Sequence, residues 1–340
     1  MSVEASPVLG PPHRESASAQ SPPNSAETLL CWQCGAPLTE MTAETRTGFA
    51  VRTCPGCATP TQLHSGIWIA ISPGRLDRFR KFIREYEFVR NAEGRGSGQP
   101  GYYLNLPYQD VSGRNGSQWA IRAHTFEVMK RRIVAPLART LNRPLRVLDL
   151  GAGNGWLSYR LSLHGHLPVA VDLLTNDRDG LGAAIHYSRA IDTLFPRVQA
   201  ELDRLPFSSA AFDLAIFNAS FHYSEDYEST FAEALRCTRP GGAIVIADTP
   251  WYPHEHSGES MVAEKHRRFA DAYGFRSDSI PSLEYLTSAR LRALRDRFGL
   301  NWQTIRPFYG IRWSLRGLQA KLAARRTPSK FRIYVARVAP

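Results

Sequence analysis

The chain has 340 residues, a formal net charge of +11 and 43% hydrophobic residues. This length and composition allow one large globular domain with a smaller module, and they exclude a wholly disordered chain. No stretch reaches the roughly 18 consecutive apolar residues that a membrane-spanning helix needs.

Residues 1–27 are rich in serine, proline and alanine. They carry charges where a secretory signal peptide requires an apolar segment, so we expect no signal peptide and a cytoplasmic protein. The composition predicts a disordered tail, because such a segment buries too little apolar surface to fold.

Four cysteines follow as two pairs, Cys31-x-x-Cys34 and Cys54-x-x-Cys57. Both pairs can bind the same zinc ion, each from a tight turn, so that four thiolates complete a tetrahedron. Disulfides are the alternative, which the expected reducing compartment disfavours. Residues 28–72 are therefore predicted to form a zinc ribbon with a structural ion.

Residues 73–100 are predicted to be a linker. Gly74 to Arg90 has apolar residues at helical spacing and a basic opposite side, which predicts an amphipathic helix. Residues 91–101 are rich in glycine, which predicts a flexible hinge. From there we expect one domain, 101–340, that opens with a helix over about 118–141.

A short apolar run, Val147 to Leu150, is typical of a buried parallel strand. Glycines at 151, 153 and 155 follow and let the backbone turn tightly beside a ligand. The predicted helix Trp156–Leu163 then offers free N–H groups to an anionic group. Trp156 stands where a dinucleotide fingerprint has its third glycine, so that fingerprint does not match.

A second strand, His166 to Asp172, ends in a carboxylate. An acid at this place can accept hydrogen bonds from both hydroxyls of a ribose, although it could also cap the next helix. Further strands are predicted over Phe212–Phe217 and Ala243–Ala247. Between them, Arg239 to Gly242 predicts a turn in which proline stops the preceding helix and glycine caps it.

These motifs resemble class I S-adenosylmethionine-dependent methyltransferases of the type 11, ubiquinone C-methylase-like group. Asp149-x-Gly-x-Gly-x-Gly155 resembles their first motif, and Glu201 to Phe207 resembles their acid-x-x-x-Leu-Pro-Phe stretch. The resemblance implies that Glu201 meets the adenine amino group and that the Leu202 N–H meets a ring nitrogen. The residues implied to hold S-adenosylmethionine are Asp149, Gly151, Ala152, Gly153, Gly155, Asp172, Glu201, Leu202 and Asn218.

The resemblance also implies the fold, a doubly wound α/β Rossmann-like sheet of seven strands with an antiparallel last strand. The remaining elements fit it: we predict helices over Ser260–Tyr273, Leu283–Phe298 and Leu315–Arg325, and strands over Trp302–Arg306 and Phe331–Val338. Cys237 is expected to be an inert buried thiol. Cys54 to Ala70 resembles the Trm112-like zinc ribbon that precedes many bacterial methyltransferase domains.

In related enzymes the segment before the first strand covers the cofactor. Tyr102, Tyr103 and Arg122 are therefore candidate lid residues, with packing of the aromatic rings between linker and core as the alternative.

The methyl acceptor is sought after the fourth strand, at Asn218-Ala-Ser-Phe-His222-Tyr223. This segment lacks the prolines of base amino-methylases and resembles the Asn-x-x-x-His-aromatic stretch of type 11 enzymes, a subset of which methylate quinones, lipids and other small molecules. His222 and Tyr223 are the candidate catalytic residues, His222 because an unperturbed imidazole suits a general base. Packing of His222 beside the cofactor is the alternative.

From residue 260 to the end there are 17 Lys and Arg against 5 Asp and Glu. This region could contact RNA phosphates or an anionic membrane surface, or could be a solvated face. The sequence thus predicts a methyltransferase whose acceptor is a small molecule methylated on oxygen or carbon. The alternatives are an RNA-base methyltransferase that uses the ribbon and the basic region, and a non-catalytic adenosylmethionine-binding interaction protein.

Overall fold

The computed structural model describes residues 29–38, 50–323 and 325–339. The predicted tail over 1–27 and part of the predicted ribbon lie outside these residues. The strands are β1 (Ala50–Thr53), β2 (Pro60–His64), β3 (Ile67–Ile69), β4 (Arg146–Leu150), β5 (Leu167–Asp172), β6 (Arg197–Gln199), β7 (Phe212–Asn218), β8 (Thr238–Ala247), β9 (Trp302–Ile305) and β10 (Ile333–Arg337). The α-helices are α1 (Pro73–Ala92), α2 (Pro100–Asn105), α3 (Gly116–Met129), α4 (Ala135–Leu141), α5 (Trp156–Leu163), α6 (Tyr227–Cys237), α7 (Glu255–Tyr273), α8 (Ser288–Phe298) and α9 (Ile311–Leu322), and a π-helical turn, Lys130–Val134, joins α3 to α4.

One sheet joins all these strands in the order β1-β2-β3-β6-β5-β4-β7-β8-β10-β9. The part of the sheet with the order β6-β5-β4-β7-β8-β10-β9 forms the predicted doubly wound arrangement, in which β10 runs antiparallel to β8. The predicted count of seven strands is wrong, because the sheet has ten. The described part of residues 28–72, which we call the cysteine-containing module, extends the sheet with β1, β2 and β3, since β3 pairs in parallel with the otherwise open edge of β6.

Both faces of the central strands are buried. Leu148 and Leu150 of β4 enter one hydrophobic core, and Val147 enters the core on the opposite face. Alternate side chains of a strand point to opposite faces, so continuous apolar runs fit a sheet covered on both sides. Leu63 and Trp68 of the cysteine-containing module belong to the first of these cores. The module therefore shares its apolar packing with the central sheet.

The predicted hinge after α1 is packed against the large domain. Arg95 is buried, and the N–H of Ser97 donates to the Tyr103 hydroxyl at 2.9 Å. That hydroxyl donates in turn to the Arg178 carbonyl at 2.7 Å. These contacts fix the glycine-rich segment, which sequence composition could not reveal.

Two further expectations are corrected. Helix α6 ends at Cys237 because Thr238 is extended, and the Arg-Pro-Gly-Gly run belongs to β8 instead of a glycine-capped turn. Helix α8 begins at Ser288 and not at Leu283, since residues 283–287 lie outside any helix and Glu284 has a left-handed backbone with φ +63°. The backbone N–H groups of Leu283 and Glu284 donate to the carbonyls of Ser224 and His222, each at 2.8 Å.

Cys237 is buried as expected, and burial raises the pKa of its thiol to about 12. Among the described residues, no helix is both long enough and apolar enough to span a bilayer.

Candidate functional site

The glycine loop leads from β4 into α5 at the carboxyl end of the sheet. Gly151 has φ +73°, and a Cβ there would collide with the Ser220 side chain. Only glycine combines this left-handed backbone with so close an approach. The N–H groups of Gly151 and Ala152 donate to the Val171 carbonyl at 2.8 and 3.0 Å, which ties the loop to β5. Gly155 takes the N-cap position of α5.

Asp172 ends β5 beside this loop. Its carboxylate accepts from the N–H of Gly153 at 2.7 Å and from the N–H of Leu174 at 2.9 Å. Burial raises the pKa of this carboxyl, while the two N–H donors oppose that change. The glycine loop and the acid that ends the second predicted strand are thus parts of one hydrogen-bonded unit.

Asp149 lies in β4 under the loop. Its carboxyl is buried and accepts from the Ser158 hydroxyl of α5 at 2.8 Å. Burial raises its pKa to about 7. The carboxyl can therefore change its charge near neutral pH when a cation comes close.

A cavity opens above the loop, and we call it the glycine-loop cavity. Eight of the predicted site residues line it: Asp149, Gly151, Ala152, Gly153, Asp172, Leu202, Asn218 and Tyr223. Three predicted residues, Gly155, Glu201 and His222, are not among its lining. The structure thus brings most of the predicted cofactor residues together around one space.

Glu201 is instead held by a residue of α1. The Arg75 guanidinium donates through Nε to both carboxylate oxygens, at 2.9 and 3.1 Å, and through Nη2 to Oε1. Glu201 is 4% exposed and Arg75 35% exposed, so the pair lies at the edge of the core. In this conformation the carboxylate already has the partner that an adenine amino group would supply.

Helix α1 also covers the glycine-loop cavity. Phe82, Tyr86 and Arg90 line it, and Arg90 pairs with the buried Asp179. The sequence did not predict these three residues as part of the site, although its pattern indicated the apolar side of the helix. The sequence does not indicate which surface the apolar side of α1 covers, because Arg90 and Asp179 lie about 90 positions apart in the chain.

The three candidate lid residues separate into two groups. Tyr102 and Tyr103 are buried, and the Tyr103 ring stacks on His186 with centroids 4.6 Å apart, which is the packing alternative. Arg122 lines the glycine-loop cavity as expected of a lid residue. Its guanidinium lies 4.8 Å from the Trp119 ring centroid, and no carboxylate within the described parts of the chain forms an ion pair with it.

A second space of about 250 Å³ adjoins the cavity, and we call it the inner chamber. Arg122 and Tyr223 line both spaces. The polar part of its wall includes His222, Asp248 and Glu284. Its outer side continues into a larger cleft of about 900 Å³ that shares His222, Tyr223 and Glu284 with the chamber. We call this space the outer cleft.

His222 Nδ1 and Asp248 Oδ2 are polar atoms of the inner chamber that are buried without a hydrogen-bond partner among the described residues, and Arg95 Nη1 is a third. Burial lowers the pKa of His222 to about 4 and raises that of Asp248 to about 6. Buried polar atoms are normally paired, so these two are placed to contact a ligand. The expectation of an unperturbed imidazole at His222 is wrong, because burial keeps the ring neutral and weakens it as a base.

Burial also raises the pKa of Tyr223, so its hydroxyl is un-ionised at neutral pH. Its ring lies edge-on to Tyr86 with centroids 5.6 Å apart, at the boundary between the glycine-loop cavity and the inner chamber.

The four predicted zinc ligands form a separate cluster in the module. The Sγ atoms of Cys31, Cys34, Cys54 and Cys57 all lie within 4.8 Å of one another. Cys31 and Cys57 are 3.6 Å apart and Cys34 and Cys54 3.5 Å, close to the roughly 3.8 Å between thiolates at 2.3 Å from a tetrahedral zinc. Backbone N–H groups of Gln33 and Gly56 point at two of the sulfurs, at 3.4 and 3.3 Å. None of the four cysteines is disulfide-bonded in this structure.

Residues 148–246, which contain the loop and both carboxylates, match the family model described as a methyltransferase domain. The similarity to methyltransferase domains thus covers less than a third of the chain. The family model ends before the helices and strands that follow β8, and it does not include the cysteine-containing module.

Curated relatives agree over the same part of the chain. A malonyl-[acyl-carrier protein] O-methyltransferase of Erwinia pyrifoliae is 31% identical over 30% of this chain and 37% of its own length. A demethylmenaquinone methyltransferase of Beutenbergia cavernae is 34% identical over 32% of this chain and 44% of its own. A sarcosine/dimethylglycine N-methyltransferase of Halorhodospira halochloris is 30% identical over 34% and 41%. The chain thus spans less than half the length of each of these relatives.

Solved structures resemble the chain more loosely. An S-adenosylmethionine-dependent methyltransferase from Mesorhizobium loti covers 59% of this chain and 96% of its own, at 20% identity and a TM-score of 0.40. A protein from Pyrococcus horikoshii covers 63% and 91%, at 15% identity and a TM-score of 0.41.

Proposed function

We propose that this protein transfers the methyl group of S-adenosylmethionine to a small molecule that carries an anionic group. The observation that carries the proposal is the joining of two spaces. The glycine-loop cavity, with its two carboxylates, meets the inner chamber at Arg122 and Tyr223. A methyl donor and an acceptor can thus lie next to each other away from bulk water, and alignment of this kind supplies much of the catalysis of a direct displacement.

The residues of the cavity fit this cofactor. Asp172 offers carboxylate oxygens to a ribose, and the N–H of Leu202, which also lines the cavity, would donate to an adenine ring nitrogen. Asp149 supplies negative charge for the ammonium group of the methionine part. The cofactor carries its methyl group on a positively charged sulfonium, and methyl transfer neutralises that charge. Two carboxylates suit such a cation.

An anionic acceptor follows from the charges of the inner chamber. Lys265 pairs with Glu284 at 2.7 Å and Arg95 with Glu93 at 2.9 Å, which neutralises both cations. Arg122 has no such partner among the described residues, and burial lowers its pKa. This half-buried guanidinium forms no ion pair in the described part of the chain, and only the attraction of the Asp248 carboxyl balances its charge, so a carboxylate or phosphate on the acceptor would pair with it directly.

In this scheme His222 contacts the acceptor, and its neutral ring can accept or donate one hydrogen bond through Nδ1. A pKa of about 4 makes it a weak base. Asp248, with a pKa of about 6, is the better proton acceptor in the inner chamber. A strong base is needed only for an acceptor that must lose its proton.

We also propose that the four cysteines hold one structural zinc ion. The tetrahedral spacing of the sulfurs supports this, since four thiolates fill the coordination shell and leave no position for a substrate. The cysteine-containing module would then be the zinc ribbon predicted from the sequence.

The proposal is tested with S-adenosylmethionine that carries a labelled methyl group. The purified protein is incubated with this cofactor and a cell extract, which is then separated into RNA, protein, and anionic and neutral small molecules. We expect label in the anionic small molecules, lost in Arg122→Ala and kept in Arg131→Ala, which removes an exposed arginine outside the site.

Other outcomes would overturn the proposal. Label in RNA would favour the RNA-base methyltransferase that the sequence left open. A protein that binds the cofactor and labels no fraction would be a non-catalytic binding protein.

A further inference from the structure

Helix α9 exposes its apolar side. Ile311, Leu315, Leu318 and Leu322 are between 44% and 80% exposed. Their spacing places them within about 60° of arc on the helix surface, so they form one continuous stripe. Phe308, 65% exposed, lies just before the helix. We call these five residues the α9 stripe. An exposed patch of this kind on a folded protein marks an interaction surface.

The opposite side of α9 holds the helix in place. Trp313 stacks on Phe331 with ring centroids 5.5 Å apart. The Arg316 guanidinium lies over the Trp313 ring and donates to the Ser329 carbonyl at 2.7 Å. The stripe therefore points away from the protein because the helix is anchored by its other side. No described residue of α9 is buried.

Positive charge surrounds the α9 stripe. At about 100° per residue, Arg312 and Lys321 flank it on opposite sides, and both are exposed. No aspartate or glutamate follows Asp296 in the sequence, whereas residues 301–340 contain nine lysines and arginines. An apolar stripe bordered by cations is the pattern of a helix that lies in the interface of an anionic bilayer.

The α9 stripe also lies at the mouth of the outer cleft. Phe308, Arg312, Trp313 and Arg316 line that cleft, which leads through His222 to the inner chamber. A surface that met the stripe would therefore face the opening of the cleft.

We propose that α9 docks this protein onto the surface of a bilayer that contains anionic lipids. The stripe enters the boundary between headgroups and acyl chains, and the flanking cations contact lipid phosphates. RNA would need cations and stacking aromatic rings but would leave four aliphatic side chains uncovered. A second copy packed stripe to stripe would bring together arginines and lysines with no acid on either helix. The bilayer satisfies both the apolar and the charged residues.

Co-sedimentation with vesicles tests this surface without reference to catalysis. The full chain is mixed with vesicles of phosphatidylcholine alone, or of equal parts phosphatidylcholine and phosphatidylglycerol. We expect binding to the anionic vesicles, weakened on the order of 10²-fold in the variant Ile311→Ser/Leu315→Ser/Leu318→Ser/Leu322→Ser. Arg312→Ala and Lys321→Ala should each weaken binding to the anionic vesicles about fivefold, an effect that high salt removes.

Controls keep the result interpretable. The variant Leu163→Ser/Ile185→Ser removes two apolar side chains outside the α9 stripe, 45% and 53% exposed, and should bind as the wild type does. Circular dichroism melting checks that the serine variant folds, and Leu318→Asp alone provides a milder test. No wild-type binding to anionic vesicles, or equal binding by the serine variant, would overturn the proposal. The proposal would also be overturned if the serine substitutions abolished a dimer or an RNA complex but left vesicle binding unchanged.

Discussion

Asp149 carries its carboxyl in a buried site against Ser158, and burial raises the pKa of this group to about 7. Below that pH the free protein holds a proton there, whereas an ammonium group beside the carboxyl favours the ionised form. Cofactor binding then releases a proton. We therefore expect affinity for S-adenosylmethionine to fall by up to about tenfold per pH unit below 7 and to level off above it.

Calorimetric titration across this pH range measures the effect. The Asp149→Asn variant should bind more weakly at neutral pH and lose most of the pH dependence. Parallel profiles for the wild type and Asp149→Asn would show that another group titrates.

His222 provides a second test at this scale. With a pKa of about 4 it takes little part in proton transfer at neutral pH, so we expect His222→Ala to raise the KM of the acceptor and to lower kcat less than about tenfold. Steady-state kinetics with the acceptor identified by labelling measures both constants. A loss of 10²–10⁴-fold in kcat with unchanged KM would instead assign His222 as the general base.

Among the helices, α1 joins the cysteine-containing module to the cofactor site through charged pairs. Replacing Arg75 by alanine leaves the Glu201 carboxylate nearly buried without its partner. We expect this to lower the free energy of unfolding by about 1–3 kcal/mol, as for other buried charges that lose a partner. Denaturant titration measures it.

The same helix offers a matched control. Arg80 pairs with Asp77 on the outer face, where both side chains are 66% exposed. Arg80→Ala should change the free energy of unfolding by less than about 0.5 kcal/mol. Equal losses in both variants would mean that the Arg75–Glu201 pair does not hold α1 against the domain.

Local signals in the sequence predicted most of the central sheet. Helix α5 begins and ends where the glycine loop and the apolar pattern placed it, and β4, β5 and β7 deviate by about one residue from their predicted bounds. These elements are recognisable because strand, turn and helix follow each other within one short segment. Most of the predicted cofactor residues line one cavity for the same reason.

Contacts between distant parts of the chain escaped prediction. The pairing of β3 with β6 and the position of α1 over the cavity depend on which surfaces meet, and helical spacing does not encode that. The lowered pKa of His222 has the same origin. Its burial involves the segment around Glu284, which the sequence predicted to be the first turn of α8. Site residues contributed by other elements are the hardest to predict from one sequence.

At the scale of the whole molecule, the cysteine-containing module and the central sheet share one hydrophobic core. We therefore expect loss of zinc to destabilise more than the module. Elemental analysis should find about one zinc per chain, lost in Cys54→Ser/Cys57→Ser, and this variant should melt at a lower temperature in a single transition. Calorimetry of both proteins measures it.

Cys237→Ala serves as the control, because this cysteine lies in α6 and is not part of the cluster. It should keep the zinc. A wild-type protein that folds with no metal would contradict the assignment, and two separate transitions would show that the module folds independently of the sheet.

Binding of S-adenosylmethionine at Asp172 is the most direct test of the central claim. Asp172→Ala removes the carboxylate that is proposed to hold the ribose and that also fixes the N–H of Gly153. Two charge-assisted hydrogen bonds are lost, so calorimetric titration should show the Kd rising by at least about 10²-fold. Arg131→Ala, outside the site, should bind as the wild type does. An unchanged Kd in Asp172→Ala, or no binding by the wild type, would contradict the account of this site.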